Sequence, residues 1–309
     1  MPLPSAGVAS IPGVAHVQSC RGARCPPDRA PRLVVEVPHG ADELAHYRAC
    51  EAQLRGTLPL DLHHFFLANT DVGAWALGVA AAEHFVAQHP TEAALLIRCL
   101  VPRTLIDCNR ELDARVPGGM SRGLPVYITD PDDEQYLLGL HAQYVALTDR
   151  AFAGLEKADG LALVPHTYAP RTVDIATVEL DIVDRMHAAW APGVAETWPL
   201  RPEVDLITET PEGQYMAPPG IGAALTAALA QQGLTAVEGG TYTLHPATRG
   251  ATLSAHHPGR LLCLEVRRDL IVTQWTPFSP MVCDPVAVQR IAEPLGRCLA
   301  AALPPTQDR

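Results

Sequence analysis

Short apolar runs rich in β-branched residues alternate with longer helix-forming stretches along this chain, an order that few architectures accept. Residues 32–37 (Arg-Leu-Val-Val-Glu-Val) form one such run, closed by Pro38, and residues 94–101 and 160–164 form two more, the latter closed by Pro165. Residues 261–266 and 270–273 repeat the pattern late in the chain. Between them, residues 42–54, 71–88, 131–155, 220–232 and 285–301 have helical composition. Runs this short and this apolar suit strands covered on both faces. Strands interleaved with helices predict an α/β fold, with a mixed, mostly parallel β-sheet flanked by helices on both faces. Asp130 is placed to cap the 131–155 helix, and the acidic residues that follow sit where the helix dipole favours them.

A chain of 309 residues can bury one large core, so residues 32–309 are expected to form a single domain. Residues 1–31, rich in Pro, Gly and Ala and without a basic-then-apolar leader pattern, are expected to be a loosely ordered lead-in. Residues 196–219, rich in Pro, Thr and Glu with no clean period, are expected to form a lid-like loop. The chain shows no uninterrupted apolar run of the roughly 18 residues a membrane helix needs, which predicts a soluble, cytoplasmic protein with no membrane partner. Lys and Arg number 23 against 34 Asp and Glu, a net charge of −11 that repels nucleic acid and anionic membranes. Small molecules are the expected partners. Eight scattered cysteines, with Cys99 and Cys263 inside apolar runs, are expected to be buried reduced thiols.

Four polar clusters stand at or just beyond the expected strands. They are Pro38-His39-Gly40-Ala41-Asp42-Glu43, Asp107-Cys108-Asn109-Arg110, Pro165 to Arg171 with His166 at its start, and Glu265-Val266-Arg267. Ligands in open α/β sheets collect at strand ends, so the four are expected to converge on one cleft. His39 and His166 each follow a β-run and are followed by small or polar residues that leave room for a metal. A catalytic zinc takes three protein ligands and keeps one open position. Asp42 and Glu43 lie close enough to His39 to supply the carboxylate, and the spacing leaves both open. Asp71 is a further candidate, either as third ligand or as an acceptor behind a ligating His, with helix capping as its alternative role. Arg103 and Arg171 are candidate oxyanion or carboxylate contacts. His256 and His257 are expected in a solvated loop.

The order Pro-His-Gly with a nearby acid, Ile-Asp-x-Asn-Arg, a second strand-end His, and Leu-Glu-x-Arg before Asp-Leu resembles the N-formylglutamate amidohydrolase family, and more distantly the zinc carboxypeptidases. The resemblance spans roughly residues 32–275 and lies in the order of motifs. It implies a phosphorylase/hydrolase-like α/β fold and a Zn2+ cofactor held by His39, His166 and Asp42 or Glu43. It implies that Asn109 and Arg110 hold the substrate's carboxylate and that Glu265 is the general base. The family commonly has Ser beside each His, where this chain reads His39-Gly40 and His166-Thr167, and its Gly-Gly-aromatic turn is Gly239-Gly240-Thr241-Tyr242 here, with one residue inserted. The expected activity is therefore zinc-dependent hydrolysis of the amide of a small N-acyl or N-formyl amino acid. A zinc peptidase or deacylase acting on a short peptide is the nearest alternative, and a catalytically silent carboxylate- or metal-binding module is a third.

Overall fold

The expected alternation is present in the computed structural model, which describes residues 8–113 and 122–304. The strands are β1 (Ala15–Arg21), β2 (Leu33–Val37), β3 (Ala93–Cys99), β4 (Leu161–Tyr168), β5 (Val204–Ile207), β6 (Ala236–Glu238) and β7 (Leu261–Arg267). All lie in one sheet, in the order β1-β3-β2-β4-β7-β5-β6. The four central strands β3, β2, β4 and β7 run parallel, while β1 and β5 run antiparallel to β3 and β7. The helices are α1 (Leu44–Glu51), α2 (Leu62–Asn69), α3 (Ala74–Gln88), α4 (Pro131–Lys157), α5 (Ile182–Ala189), α6 (Ile221–Gln231), α7 (Arg249–His256) and α8 (Pro285–Ala302).

Successive strand residues point to opposite faces, and each face is covered. Leu33, Val35 and Val37 of β2 pack with Leu77 and Phe85 of α3, Leu225 of α6 and Leu295 of α8. Val34 turns the other way, into the layer holding Leu137, Tyr144 and Phe152 of α4. Glu36 shares that buried face and accepts a hydrogen bond from Tyr144 Oη at 3.1 Å. The long α4 starts as its sequence predicts: Asp130 accepts from the Asp132 and Asp133 amides, and Pro131 opens the first turn.

Helices α3 and α8 approach so closely that a Cβ on Gly296 would stand 2.4 Å from the Ala81 carbonyl oxygen. That distance leaves no room for a side chain. Gly296→Val is expected to lower stability by about 1–3 kcal/mol through overpacking, read as a lower denaturant midpoint at unchanged slope. An unshifted midpoint would refute this close packing.

Several expectations need correction. Residues 1–7 lie outside the described part, but within the expected loose lead-in Ala15–Arg21 is an edge strand, paired with β3 from Ala15 opposite Cys99 to Arg21 opposite Ala93. An edge strand shows water one side and draws its order from backbone pairing, so its apolar signal is weak. The expected lid at 196–219 contains β5, whose four residues are all buried within the sheet. The strand expected at 270–273 is only a bridge between Val272 and Cys283 after a short 3-10 turn at Arg268–Leu270. Three helices, α2, α5 and α7, were not expected. The stretch Leu62–Gln88 is long and apolar enough to cross a membrane by composition, yet 78% of its most apolar 18-residue window is buried inside the protein. It is divided into α2 and α3 by the turn that carries Asp71. The cysteines are free thiols, and Cys50, Cys99, Cys108 and Cys263 are buried.

Candidate metal centre

The parallel strands β2 and β4 deliver the two histidines. His39 lies just beyond the end of β2 and His166 near the end of β4, and both are buried. Gly40 follows His39 because the chain passes against β3 there: a Cβ would meet Arg98 Cγ at 2.5 Å. Arg98 donates to the Gly40 carbonyl at 2.8 Å and to Asp42 Oδ1 at 2.6 Å, and it also binds Glu43 at 2.9 Å.

This places the carboxylates expected as third ligand in another setting. Asp42 and Glu43 are ion-paired to Arg98 and group with His46, whereas the acid beside the two histidines is Asp71. Asp71 Oδ2 lies 2.9 Å from His166 Nδ1 and 3.3 Å from His39 Nδ1, and the two Nδ1 atoms are 3.1 Å apart. The turn bearing Asp71 is fastened on both sides. Thr70 Oγ1 donates to the Ala41 carbonyl at 2.9 Å, Thr167 Oγ1 donates to the Val72 carbonyl at 2.9 Å, and the Thr167 amide donates to Asp71 Oδ2 at 3.3 Å. Thr167, where the resembled family commonly has Ser, thus supplies the same hydroxyl chemistry.

These buried side chains could hold a metal ion. Ligands about 2.0–2.1 Å from a tetrahedral ion stand roughly 3.3 Å from one another, close to the observed separations. The protonation pattern fits as well. Asp107 Oδ1 lies 2.8 Å from His39 Nε2, so this nitrogen donates and Nδ1 keeps its lone pair toward Asp71. A lone pair and a carboxylate facing each other need a proton or a cation between them. Burial acts to raise the Asp71 pKa, but His39 and His166 outweigh it and hold the carboxyl well below its usual range. Asp107 is likewise held low against burial, by Arg110 first and then His39 and Arg103.

Glu265 of β7 sits directly across from His166 of β4 in the parallel register. Its Oε2 is buried and has no hydrogen-bond partner among the described residues. Burial pushes its pKa up to about 7, with Asp71 adding to the rise and His166, Arg201 and Arg103 opposing it. The arginines next to it in sequence do not neutralise it. Arg267 pairs with Asp269, and Arg268 donates to the carbonyls of Ala68 and Thr167. On the other side of β7, Asp205 of β5 stands opposite Glu265 and accepts from the amides of Gly240, Thr241 and Tyr242, which fixes the Gly-Gly-Thr-Tyr turn.

A cavity of about 740 Å³ brings these parts together, lined by His39, Asp71, His166, Glu265 and the Gly-Gly-Thr-Tyr turn among others. Asn109, Arg110, Arg103 and Arg171 also line it, so the expected convergence holds for all the site residues except Asp42 and Glu43. Their polar groups are engaged within the protein. Asn109 accepts from the Gly250 amide at 3.2 Å and sits 3.5 Å from His166 Nε2, and Arg110 donates to the Asn109 carbonyl at 3.1 Å and lies 3.7 Å from Asp107. Arg103 bridges Asp71 and Asp107, at 3.3 Å from each, and Arg171 donates to the carbonyls of Glu196 and Trp198. Arg201 was missed, and Asp107 was noted within its cluster without a role of its own. Asp107 is visible as the acid of Ile-Asp-x-Asn-Arg, and its Oδ1 accepts from the Asn109 amide two residues on, a local turn signal. Arg201 lies in a Pro-rich stretch with no signal.

The fold and site together define an α/β protein with a buried His-His-Asp group and, beside it, a carboxyl group whose buried oxygen lacks a hydrogen-bond partner among the described residues, at the carboxyl ends of parallel strands. No protein-family model, curated protein or solved structure matches the chain.

Proposed function

We propose that the protein is a zinc-dependent amidohydrolase that cleaves a small N-acyl amino acid or a related carboxylate-bearing amide. The observation that carries this reading is the pairing of the His39–Asp71–His166 group with Glu265, a half-buried residue whose buried Oε2 has no hydrogen-bond partner among the described residues. A module that only bound metal or carboxylate would gain nothing from that uncompensated group, which is costly to bury.

Imidazole nitrogens and one carboxylate oxygen suit zinc, and a three-ligand zinc supplies Lewis acidity and a water acidic enough to ionise near neutral pH. Glu265 takes the proton of the attacking water as base and returns it to the leaving nitrogen as acid. A pKa near 7 fits both tasks. Asp107 holds His39 in the tautomer that leaves Nδ1 free for the ion. Arg103 ties Asp71 to Asp107 and keeps both carboxylates in place. The cavity is large enough for an acyl group well beyond formyl, which favours an N-acyl amino acid or short peptide over N-formylglutamate itself.

The purified protein is expected to hold about one zinc per chain and to hydrolyse members of a panel of N-acyl amino acids, with turnover lost on chelation and regained with zinc. Bound zinc without turnover across the panel would leave a silent binding module as the better reading, and a protein that binds no metal would sink the proposal.

A further inference from the structure

The chain carries a net charge of −11, yet the cavity over the candidate metal centre is lined by five arginines against three carboxylates, Asp71, Asp174 and Glu265. Four of the arginines, Arg103, Arg110, Arg171 and Arg268, are bound to carboxylates or backbone carbonyls as described above. Arg201 is different. Its Nε donates to Thr172 Oγ1 at 3.0 Å, and its guanidinium lies over two tyrosine rings, 5.0 Å from the centre of Tyr168 and 5.7 Å from that of Tyr242. Among the described residues no acceptor binds either terminal nitrogen, and no carboxylate lies within ion-pairing distance.

Two aromatic faces and one Nε–H bond therefore hold the guanidinium plane and leave its terminal fork unused. Such a fork matches a carboxylate in bidentate fashion, and a pre-oriented one loses little freedom on binding. It is also tied to the chemistry. Arg267, two residues after Glu265 on β7, donates from Nη1 to the Arg201 carbonyl at 3.1 Å, and Asp205 opposite Glu265 fixes the turn that carries Tyr242. Another wall of the cavity is apolar. Ile182, Met186 and Trp190 recur at four-residue spacing on and just after α5 and line it together with Phe65 and Val178.

We propose that Arg201, clamped between Tyr168 and Tyr242, is the anchor for the substrate's free carboxylate. The substrate class is then an N-acyl amino acid or short peptide whose apolar side chain lies along the α5 wall. The substrate class rests on the amidohydrolase reading; the anion site does not, and it can be tested by binding alone.

The probes are N-acetyl-L-leucine and its neutral counterpart N-acetyl-L-leucinamide, titrated calorimetrically into zinc-loaded protein carrying Glu265→Gln so that neither is consumed. The acid is expected to bind at least about tenfold tighter than the amide, the usual worth of one charge-assisted contact. Arg201→Gln should erase that margin, Arg201→Lys should restore part of it, and Tyr242→Leu, which loosens the clamp but keeps the charge, should reduce it. Should Arg201→Gln fail to fold, the Lys and Tyr242 variants carry the test. Equal binding of acid and amide by the parent, or a full margin surviving in the Arg201 and Tyr242 variants, would overturn the proposal. If no panel member is turned over by the unmutated enzyme while the margin behaves as expected, the anion site stands and the hydrolase reading fails.

Discussion

Replacing Glu265 by Gln is expected to leave zinc bound and the fold intact while lowering turnover by roughly 10²- to 10⁴-fold, the usual worth of a positioned general base. Gln is nearly isosteric and no described protein group binds Oε2, so little packing is disturbed. The pH profile gives an independent readout. The base must be ionised to accept a proton, so the parent rate should fall as pH drops through the Glu265 pKa. That pKa is raised to about 7 by burial, and a bound cation nearby lowers it, so the acid limb should lie at or somewhat below 7. In Glu265→Gln the limb should vanish. The same ionisation bears on stability without metal. A carboxyl group whose pKa rises on folding stabilises the folded state below its unfolded value, near 4.5, and this contribution is lost as pH rises through about 7. The metal-free parent should therefore lose more stability between pH 5 and pH 8 than Glu265→Gln does, as thermal unfolding would record. Parent-like turnover in the variant would make Glu265 structural and return the search for a base to the other cavity residues.

Metal content is expected to separate Asp71 from Asp42 and Glu43 with equal clarity. Asp71→Asn, like His39→Ala or His166→Ala, should cost the site most of its zinc after dialysis. Loss of a group behind a ligand typically weakens metal affinity by about 10–100-fold, and loss of a ligand should exceed that. Asp42→Asn and Glu43→Gln should keep about one zinc per chain, since both acids are paired to Arg98 and the Glu43 side chain is 62% exposed. Elemental analysis of the dialysed proteins decides the matter. Full occupancy in Asp71→Asn beside loss in Asp42→Asn would restore the assignment that sequence spacing favours.

Much of the core was legible beforehand for a plain reason. A strand covered on both faces must be apolar throughout, so β2, β3, β4 and β7 appear as continuous runs, and the caps and first turn of α4 are written in Asp130, Pro131 and the acids that follow. His39 and His166 could be singled out because each stands at or near the end of such a run, whereas Asn109, Arg110 and Glu265 were given roles by the resemblance in motif order. Edge strands and short covering helices carry weaker signals, since pairing and packing, more than composition, hold them in place. That is why the edge strands β1 and β6 and the short helices α2, α5 and α7 were not anticipated, while β5, inside the sheet, has only four residues to carry a signal.

By itself, then, the sequence determined the α/β architecture and marked the two histidines, because local periodicity and strand-end position are properties of neighbouring residues, and it marked the carboxyl group of β7 through the resemblance in motif order. The tertiary structure alone decided which carboxylate joins the histidines. Asp42 is three residues from His39 yet turns to Arg98, while Asp71, 32 residues away, is brought to 3.3 Å from His39 by a turn that Thr70 and Thr167 fasten. It also decided that Arg201, from a Pro-rich stretch without periodicity, lies between two tyrosines at the cavity wall. Contacts of that kind depend on where distant segments cross, and no spacing along the chain encodes the crossing.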